Sequence, residues 1–292
     1  MIFSKRLSSL AVLSAALMYV PALAAQDENY LALGDSVSFG LDVTLLTSVP
    51  PPLPSAFTGY PELVAQVERW KVVNASCPGE TSGSFLDTSM PDDGCNHPHL
   101  QATPPYALPP FKFSIGLKAS YLDEQVAFAL RELGANKKIQ LVTLGIGAND
   151  YLLLASQCAI QSANDPAATS ACINLGLDAM FKNYDANLTT ILQKLRSVYT
   201  GKLVLVTYYA PSSDFIPIAN RFNKIMKTSG NRFHVTIADG FTAFQLASSL
   251  AGGDPCAAGL LTRISATTCD IHPSLAGQAV LAAAVEVAIH SR

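Results

Sequence analysis

Charged side chains are scarce in this sequence. Asp, Glu, Lys and Arg together make up 14% of its 292 residues, well below the roughly 25% that is usual in soluble domains. Basic residues number 19 and acidic residues 22, which gives a formal net charge of −3 at pH 7. Because neutralising phosphates requires a basic excess, a nucleic-acid partner is not expected. The apolar content of 49% is ordinary for a globular chain and excludes intrinsic disorder.

Several patterns with a specific meaning are also missing. The sequence has no Cys-x-x-Cys pair, so the ligand spacing typical of a zinc site is absent. It has no Gly-x-Ser-x-Gly, the nucleophile turn of the α/β-hydrolase fold. No internal repeat, low-complexity tract or polar linker divides the chain. A single domain over residues 25–292 is therefore predicted, preceded by a leader.

The leader, residues 1–24, has the features of a secretory signal peptide. Lys5 and Arg6 precede an uncharged stretch over residues 7–20, and the run Ala22-Leu23-Ala24-Ala25 offers a cleavage site. A retained membrane anchor is the alternative, but the apolar stretch is short for a membrane span. No second long apolar run follows. We therefore expect a secreted or periplasmic protein with no stable membrane span.

The cysteines indicate the same compartment. Six cysteines remain after such a cleavage, and an even number in an exported chain favours disulfides over zinc ligation. Pairing neighbours along the chain closes three short loops outside the expected strands. The predicted pairs are Cys77–Cys95, Cys158–Cys172 and Cys256–Cys269.

Apolar, β-branched runs alternate with helical patterns along the chain. Strands are predicted over residues 30–33, 72–74, 139–144 and 203–208, with a weaker fifth over 233–237. Helices are predicted over residues 61–70, 121–133, 175–198, 216–227 and 275–290. Because strands that alternate with helices need crossover connections, they form a mostly parallel sheet. The predicted fold class is α/β, a three-layer α/β/α sandwich with a five-stranded, mostly parallel sheet.

Two long stretches, residues 43–60 and 88–114, do not fit this alternation. Both are rich in proline. Loops of this length in a compact domain are more often functional than accidental. We expect both to lie over the carboxyl ends of the strands, where ligands bind in open α/β sheets.

Polar residues follow the predicted strands at that edge. Ser36 comes directly after the first strand, in Gly34-Asp35-Ser36, where it would face the crevice and offer its own N–H to an anion. Gly79 follows the second strand and Asn149 the third, and both are suitable oxyanion donors. Taken singly, each of these residues fits an ordinary turn or a helix cap equally well. Their joint placement after successive strands favours a functional site.

His272 precedes the last helix and is the natural proton acceptor for Ser36, because a nucleophilic serine needs an adjacent base. The other histidines are His97, His99, His234 and His290. His234 falls inside a strand pattern and His290 at the tail. The pair at 97 and 99 is a candidate for metal binding, but without a second group of ligands a solvated loop is the preferred interpretation.

These four blocks, in this order, resemble those of the GDSL or SGNH hydrolase superfamily, which is named after the Ser, Gly, Asn and His found here as Ser36, Gly79, Asn149 and His272. The resemblance implies a flavodoxin-like fold and ester hydrolysis through an acyl-serine intermediate, with no cofactor and no metal. It implies that Ser36 is the nucleophile and His272 the base. The N–H groups of Ser36 and Gly79, with the Asn149 amide, would hold the oxyanion.

The last block departs from the superfamily's Asp-x-x-His pattern. Cys269 stands three residues before His272, and Asp270 only two before it. His272 would be oriented either by the Asp270 carboxylate or by its main-chain carbonyl, as the resemblance to certain secreted lipases with a Ser-His dyad implies. The shorter spacing and the expected crosslink at Cys269 favour the carbonyl.

The sequence therefore predicts an exported carboxylic ester hydrolase of the esterase, lipase or phospholipase kind, a monomer whose partner is a small-molecule or lipid ester. A carbohydrate deacetylase or a thioesterase is an alternative within the same chemistry. A secreted binding module that keeps the fold without catalysis is an alternative of another class. The presence of all four residue types favours an enzyme.

Overall fold

A five-stranded sheet positions three of the candidate residues, Ser36, Gly79 and Asn149, which follow its strands. In the computed structural model, which describes residues 28–99 and 109–291, all neighbouring strands of this sheet are parallel and their order is β2-β1-β3-β4-β5. The strands are β1 (Glu28–Gly34), β2 (Lys71–Asn74), β3 (Leu141–Gly145), β4 (Lys202–Val206) and β5 (Thr236–Ala238). The five predicted strands are thus confirmed. The predicted leader, residues 1–24, lies outside the described residues.

Helices cover both faces of this sheet, which confirms the three-layer α/β fold. The helices are α1 (Ser36–Phe39), α2 (Tyr60–Glu68), α3 (Phe111–Ser114), α4 (Gln125–Ala135), α5 (Ala148–Gln161), α6 (Pro166–Val198), α7 (Ile216–Arg232), α8 (Gly240–Ser248) and α9 (Leu275–His290). Side chains of α4, α6 and α7 pack on one face, and side chains of α2, α8 and α9 on the other. The five predicted helices are all present.

Strand β1 shows how the sequence builds these layers. Successive side chains of a strand point to opposite faces of the sheet. Leu31 and Leu33 accordingly join the apolar cluster with α4 and α6, while Tyr30 and Ala32 join the cluster with α2 and α9. All four are fully buried. A central parallel strand is covered on both faces, so it reads as one continuous apolar run.

The fifth strand begins later than predicted, at Thr236. Helix α7 continues to Arg232, and His234 has a backbone φ of 54°. This left-handed conformation ends the helix with a turn and is incompatible with an extended strand. The apolar residues before Thr236 therefore belong to the turn.

A second, two-stranded antiparallel sheet was not predicted. It consists of β6 (Leu261–Arg263) and β7 (Cys269–Pro273). His272 therefore lies on a strand instead of in a loop. The sheet brings this C-terminal segment against α1, beside the carboxyl end of β1.

The predicted cysteine pairs are confirmed, because the structure contains the disulfides Cys77–Cys95, Cys158–Cys172 and Cys256–Cys269. The first joins the second of the two long stretches to the segment after β2, the second joins α5 to α6, and the third anchors the start of β7. Among the described residues, no helix is both long and apolar enough to cross a membrane.

Candidate active site

Ser36 lies at the point where β1 turns into the short helix α1. Gly34 makes this turn with a φ of 139°, and a Cβ on it would lie 2.2 Å from the carbonyl oxygen of Gly145. A side chain is therefore excluded at Gly34. Asp35 then caps α1, with its Oδ1 accepting the N–H of Val37 at 3.0 Å. The cap fixes the backbone of Ser36 in the first helical turn.

A chain of polar contacts runs from Ser36 to Asp270. Ser36 Oγ lies 2.9 Å from Nε2 of His272. On the other side of the imidazole, Nδ1 contacts the Oδ1 atom of the Asp270 carboxylate. The same oxygen accepts the backbone N–H of His272 at 2.9 Å. Hydroxyl, imidazole and carboxylate are therefore in line, an arrangement that can withdraw a proton from the serine.

The expectation that the main-chain carbonyl of Asp270 faces His272 is wrong. Asp270 and His272 are two residues apart on strand β7, and residues i and i+2 of a strand project from the same face. The two-residue spacing is thus what allows the carboxylate to reach Nδ1. Burial works against ionisation of Asp270, but the hydrogen bond and charge of His272 hold the pKa of this carboxyl below its usual value. The group is a carboxylate over most of the pH range.

Gly79 and Asn149 reach the same cavity from the neighbouring strands. Gly79 has a φ of 84°, and a Cβ there would lie 2.4 Å from the carbonyl oxygen of Asp93. Asn149, in the first turn of α5, donates from Nδ2 to the Glu80 carbonyl at 2.9 Å. This bond fixes the plane of the amide beside Ser36. All five predicted residues line one cavity of about 420 Å³, namely Ser36, Gly79, Asn149, Asp270 and His272.

The sequence is similar to that of a known protein family. The GDSL-like lipase/acylhydrolase family matches residues 32–280, which is most of the sequence. The chain belongs to this family. Among proteins of curated function, none matches the sequence.

Two solved structures share the fold of this GDSL family member. An acetylxylan esterase from Geobacillus stearothermophilus is 14% identical, with a TM-score of 0.52 over 91% of this chain and 96% of that one. An α/β hydrolase enzyme from the metagenome of Lake Arreo, Spain, is 15% identical, with a TM-score of 0.53 over 91% of this chain and 96% of that one. At such low identities the likeness shows the fold alone.

Asp35, the acidic residue of the GDSL block, was not predicted to take part in the site. Its side chain is 1% exposed, and its Oδ2 accepts a hydrogen bond of 2.6 Å from the hydroxyl of Tyr208, at the end of β4. Burial raises the pKa of Asp35 to about 6, although the hydrogen bonds of Tyr208 and Val37 and the charge of His272 lower it. In the sequence, the position of Asp35 next to Ser36 could have indicated that Asp35 belongs to the site. No feature of the sequence indicated Tyr208.

A second buried carboxyl, Glu80, lies directly after Gly79. It accepts a hydrogen bond of 2.5 Å from Ser84 Oγ and one of 3.1 Å from Gln125 Nε2. The amide of Gln125 also binds both backbone groups of Gly34, at 2.6 and 2.9 Å. This network connects the loop of Gly79 to the end of β1. Burial raises the pKa of Glu80 to about 7.

The candidate metal ligands either lie away from Ser36 or already have a bonding partner. His97 contacts Asp92, and His99 contacts Asp93, each at 3.3 Å. Among the described residues, one group of possible ligands includes two cysteines that form a disulfide. The other lies between α2 and α9, at Glu68, Glu286 and His290. Neither group touches Ser36 Oγ.

The described parts of the two long stretches line the larger cavity of the site. Leu41, Val43 and Phe111 belong to an apolar cluster that packs beside Ser36 and lines the larger cavity. Asp93 and His99 line the same cavity. On the opposite side of Ser36, between α5 and α7, lies a second cavity of about 70 Å³. The serine hydroxyl thus stands where two cavities of different lining meet.

Proposed function

We propose that the protein is an exported carboxylic ester hydrolase that acts through an acyl-serine intermediate on Ser36. The observation that carries the proposal is the line of contacts from Ser36 Oγ through His272 to the Asp270 carboxylate. A serine hydroxyl is a weak nucleophile until an adjacent base takes its proton. Membership of a family of lipases and acylhydrolases supports the same chemistry.

In the proposed reaction, Ser36 Oγ attacks the ester carbonyl carbon while His272 Nε2 takes the hydroxyl proton. The carboxylate of Asp270 holds the imidazole and stabilises its charged form. The N–H groups of Ser36 and Gly79, with the Asn149 amide, donate to the oxyanion of the tetrahedral intermediate. His272 then gives its proton to the departing alkoxide oxygen. A water, deprotonated by the same imidazole, releases the acid from Ser36.

The disulfides support the exported part of the proposal. Three disulfides in one chain are typical of proteins that fold in an oxidising compartment. The predicted leader, residues 1–24, agrees with this.

Replacement of the nucleophile tests the function. We expect Ser36→Ala to fold normally and to retain less than about a thousandth of wild-type ester hydrolysis, since the residual rate without the nucleophile is small. Nitrophenyl esters, a phospholipid, an acyl thioester and an acetylated xylooligosaccharide form the substrate panel. Turnover of the last two alone would favour the thioesterase or deacetylase alternatives.

A serine-directed phosphonate provides the matched control. The reagent should label wild type and Ser38→Ala, and fail to label Ser36→Ala. Ser38 is a suitable control because its hydroxyl is fully buried and contacts the hydroxyl of Tyr60 at 2.9 Å, away from the cavity. Ester hydrolysis that survives in Ser36→Ala would reject the nucleophile. Absence of both labelling and turnover in wild type would favour a binding module.

A further inference from the structure

The smaller cavity beside Ser36 is narrow and apolar. It opens on the β4 side of the serine and has a volume of about 70 Å³. Aromatic and aliphatic side chains form its walls, among them Tyr151, Leu152, Tyr208, Phe215, Ile218 and Phe222. None of the described residues that line it is an Asp, Glu, Lys or Arg. Such a cavity favours a hydrocarbon chain over a hydroxylated group, because each methylene gains by leaving water while a polar group loses its hydrogen bonds.

Helix α7 forms one wall of this cavity. Ala219 and Phe222 are three residues apart and therefore lie on one face of the helix. Phe222 is held in place by Phe181 and Tyr184, whose ring centroids both lie 4.8 Å from its own. Ala219 is 5% exposed and contributes a small side chain to the lining. A larger side chain at position 219 would therefore take up part of the cavity.

The cavity's volume suits a short chain. A cavity of about 150 Å³ holds a benzene molecule, so this cavity holds roughly three carbon atoms. A short acyl chain fits this space, and a long fatty acyl chain exceeds it.

The larger cavity on the other side of Ser36 has a different lining. Asp93, His99 and Ser156 contribute polar groups to it, alongside apolar side chains such as Leu46. Its volume of about 420 Å³ is several times that of the apolar cavity. This size and this mixed lining suit the bulkier alcohol part of an ester.

We propose that the apolar cavity binds the acyl chain of the substrate and that Ala219 and Ile218 limit the length of this chain. The larger cavity takes the alcohol part. The assignment rests on the proposed function, since it describes the two halves of an ester bound to Ser36. It gives the substrate class as short straight-chain acyl esters of a bulky alcohol.

A series of p-nitrophenyl esters from acetate to decanoate tests the assignment through kcat/KM. Wild type should hydrolyse the short acyl esters of the series in preference to the decanoate. Ala219→Leu fills the cavity and should lower the ratio of hexanoate to acetate kcat/KM by at least about 10-fold, since one misfitted methylene costs about 10- to 200-fold. Ile218→Ala widens the cavity wall and should move the preference to longer chains. If Ala219→Leu does not fold, Ile218→Ala tests the assignment by itself.

Leu46→Phe is the matched control, because it adds a bulky group to the larger cavity instead. The ratio of hexanoate to acetate should stay as in wild type. A fall of that ratio in Leu46→Phe, or an unchanged ratio in both Ala219→Leu and Ile218→Ala, would overturn the assignment while leaving the hydrolase function standing. Wild-type protein that hydrolyses no ester and takes no phosphonate label at Ser36 would overturn both.

Discussion

At the scale of single residues, the spacing between Asp270 and His272 sets the contact between their side chains. A spacing of two on an extended strand places the two side chains on one face, so the carboxylate reaches Nδ1. Sequence reasoning singled out both residues as candidates. It assigned the wrong atom to Asp270 because it took the segment for a loop, in which a spacing of two has no fixed geometry. The strand, which sets the direction of the side chains, depends on pairing with β6 and leaves no periodic signal in five residues.

Asp270→Asn tests this geometry. We expect kcat to fall by more than about 100-fold with little change in KM, because an amide that donates to Nδ1 selects the wrong tautomer of His272; the equivalent change in a serine protease costs about 10⁴-fold. Initial-rate assays on a nitrophenyl ester, with circular dichroism to verify the fold, measure the effect. Asp254→Asn, an exposed change on the segment before β6, is the control. A loss below about 10-fold would show that the carboxylate is dispensable.

At the scale of secondary-structure elements, the sheet could be predicted from the sequence, but the helices beside the site could not all be predicted. β1 and β3 are buried on both faces, so their apolar runs stand out in the sequence. Helix α5 and the first part of α6 lack such a pattern, because most of their residues are half-buried or exposed. The prediction therefore missed α5 and began α6 at residue 175 instead of Pro166. One wall of the apolar cavity, formed by Tyr151 and Leu152, belongs to α5.

The disulfide Cys256–Cys269 anchors the strand that carries His272, the proposed base. Cys269 is the first residue of β7, next to Asp270. Removing the crosslink with Cys256→Ser and Cys269→Ser frees a loop with a sequence separation of 13 and should lower the free energy of unfolding by about 3 kcal/mol. Because β7 loosens first, activity should fall at temperatures below the unfolding midpoint. Activity and circular dichroism recorded along the same temperature ramp measure this gap.

The bond Cys158–Cys172 offers a matched comparison. Its sequence separation is 14, so its removal should cost nearly the same free energy of unfolding. It joins the far end of α5 to α6, away from β7. Activity and unfolding should therefore coincide in this variant. An equal gap in both variants would show that the local anchoring of β7 is not what protects the activity.

At the scale of the whole molecule, buried carboxyls beside the site make the stability of the fold depend on pH. Asp35 and Glu80 are buried and Asp150 is half-buried, and desolvation raises their pKa values to about 6, 7 and 6. None of these shifts can be read from the sequence, because each depends on elements that are far apart along the chain. The GDSL block locates Asp35, but only the fold buries it under Tyr208.

The direction of these pKa shifts is opposite to the usual one for a carboxyl. A carboxyl with a raised pKa binds its proton more tightly in the folded state than in the unfolded state, so stability falls as the pH rises through the window between the two values. For Glu80 the window runs from 4.5 to about 7. Asp270, whose pKa is lowered, acts in the opposite sense and only at more acidic pH. The protein should therefore be more stable near pH 5 than near neutrality.

Glu80→Gln isolates the largest of these contributions. A shift of the size given for Glu80 corresponds to about 3 kcal/mol, at 1.36 kcal/mol per pKa unit. Gln keeps the shape of the side chain and cannot ionise, so the loss of stability between roughly pH 5 and pH 7.5 should shrink by a large part of that amount. Urea unfolding at the two pH values, with Glu132→Gln on α4 as the control, measures the difference. If wild type and Glu80→Gln lose the same stability over this range, ionisation of Glu80 costs no stability. The charge of Lys112, which acts on Glu80, then already compensates the charge of the carboxylate in the folded state.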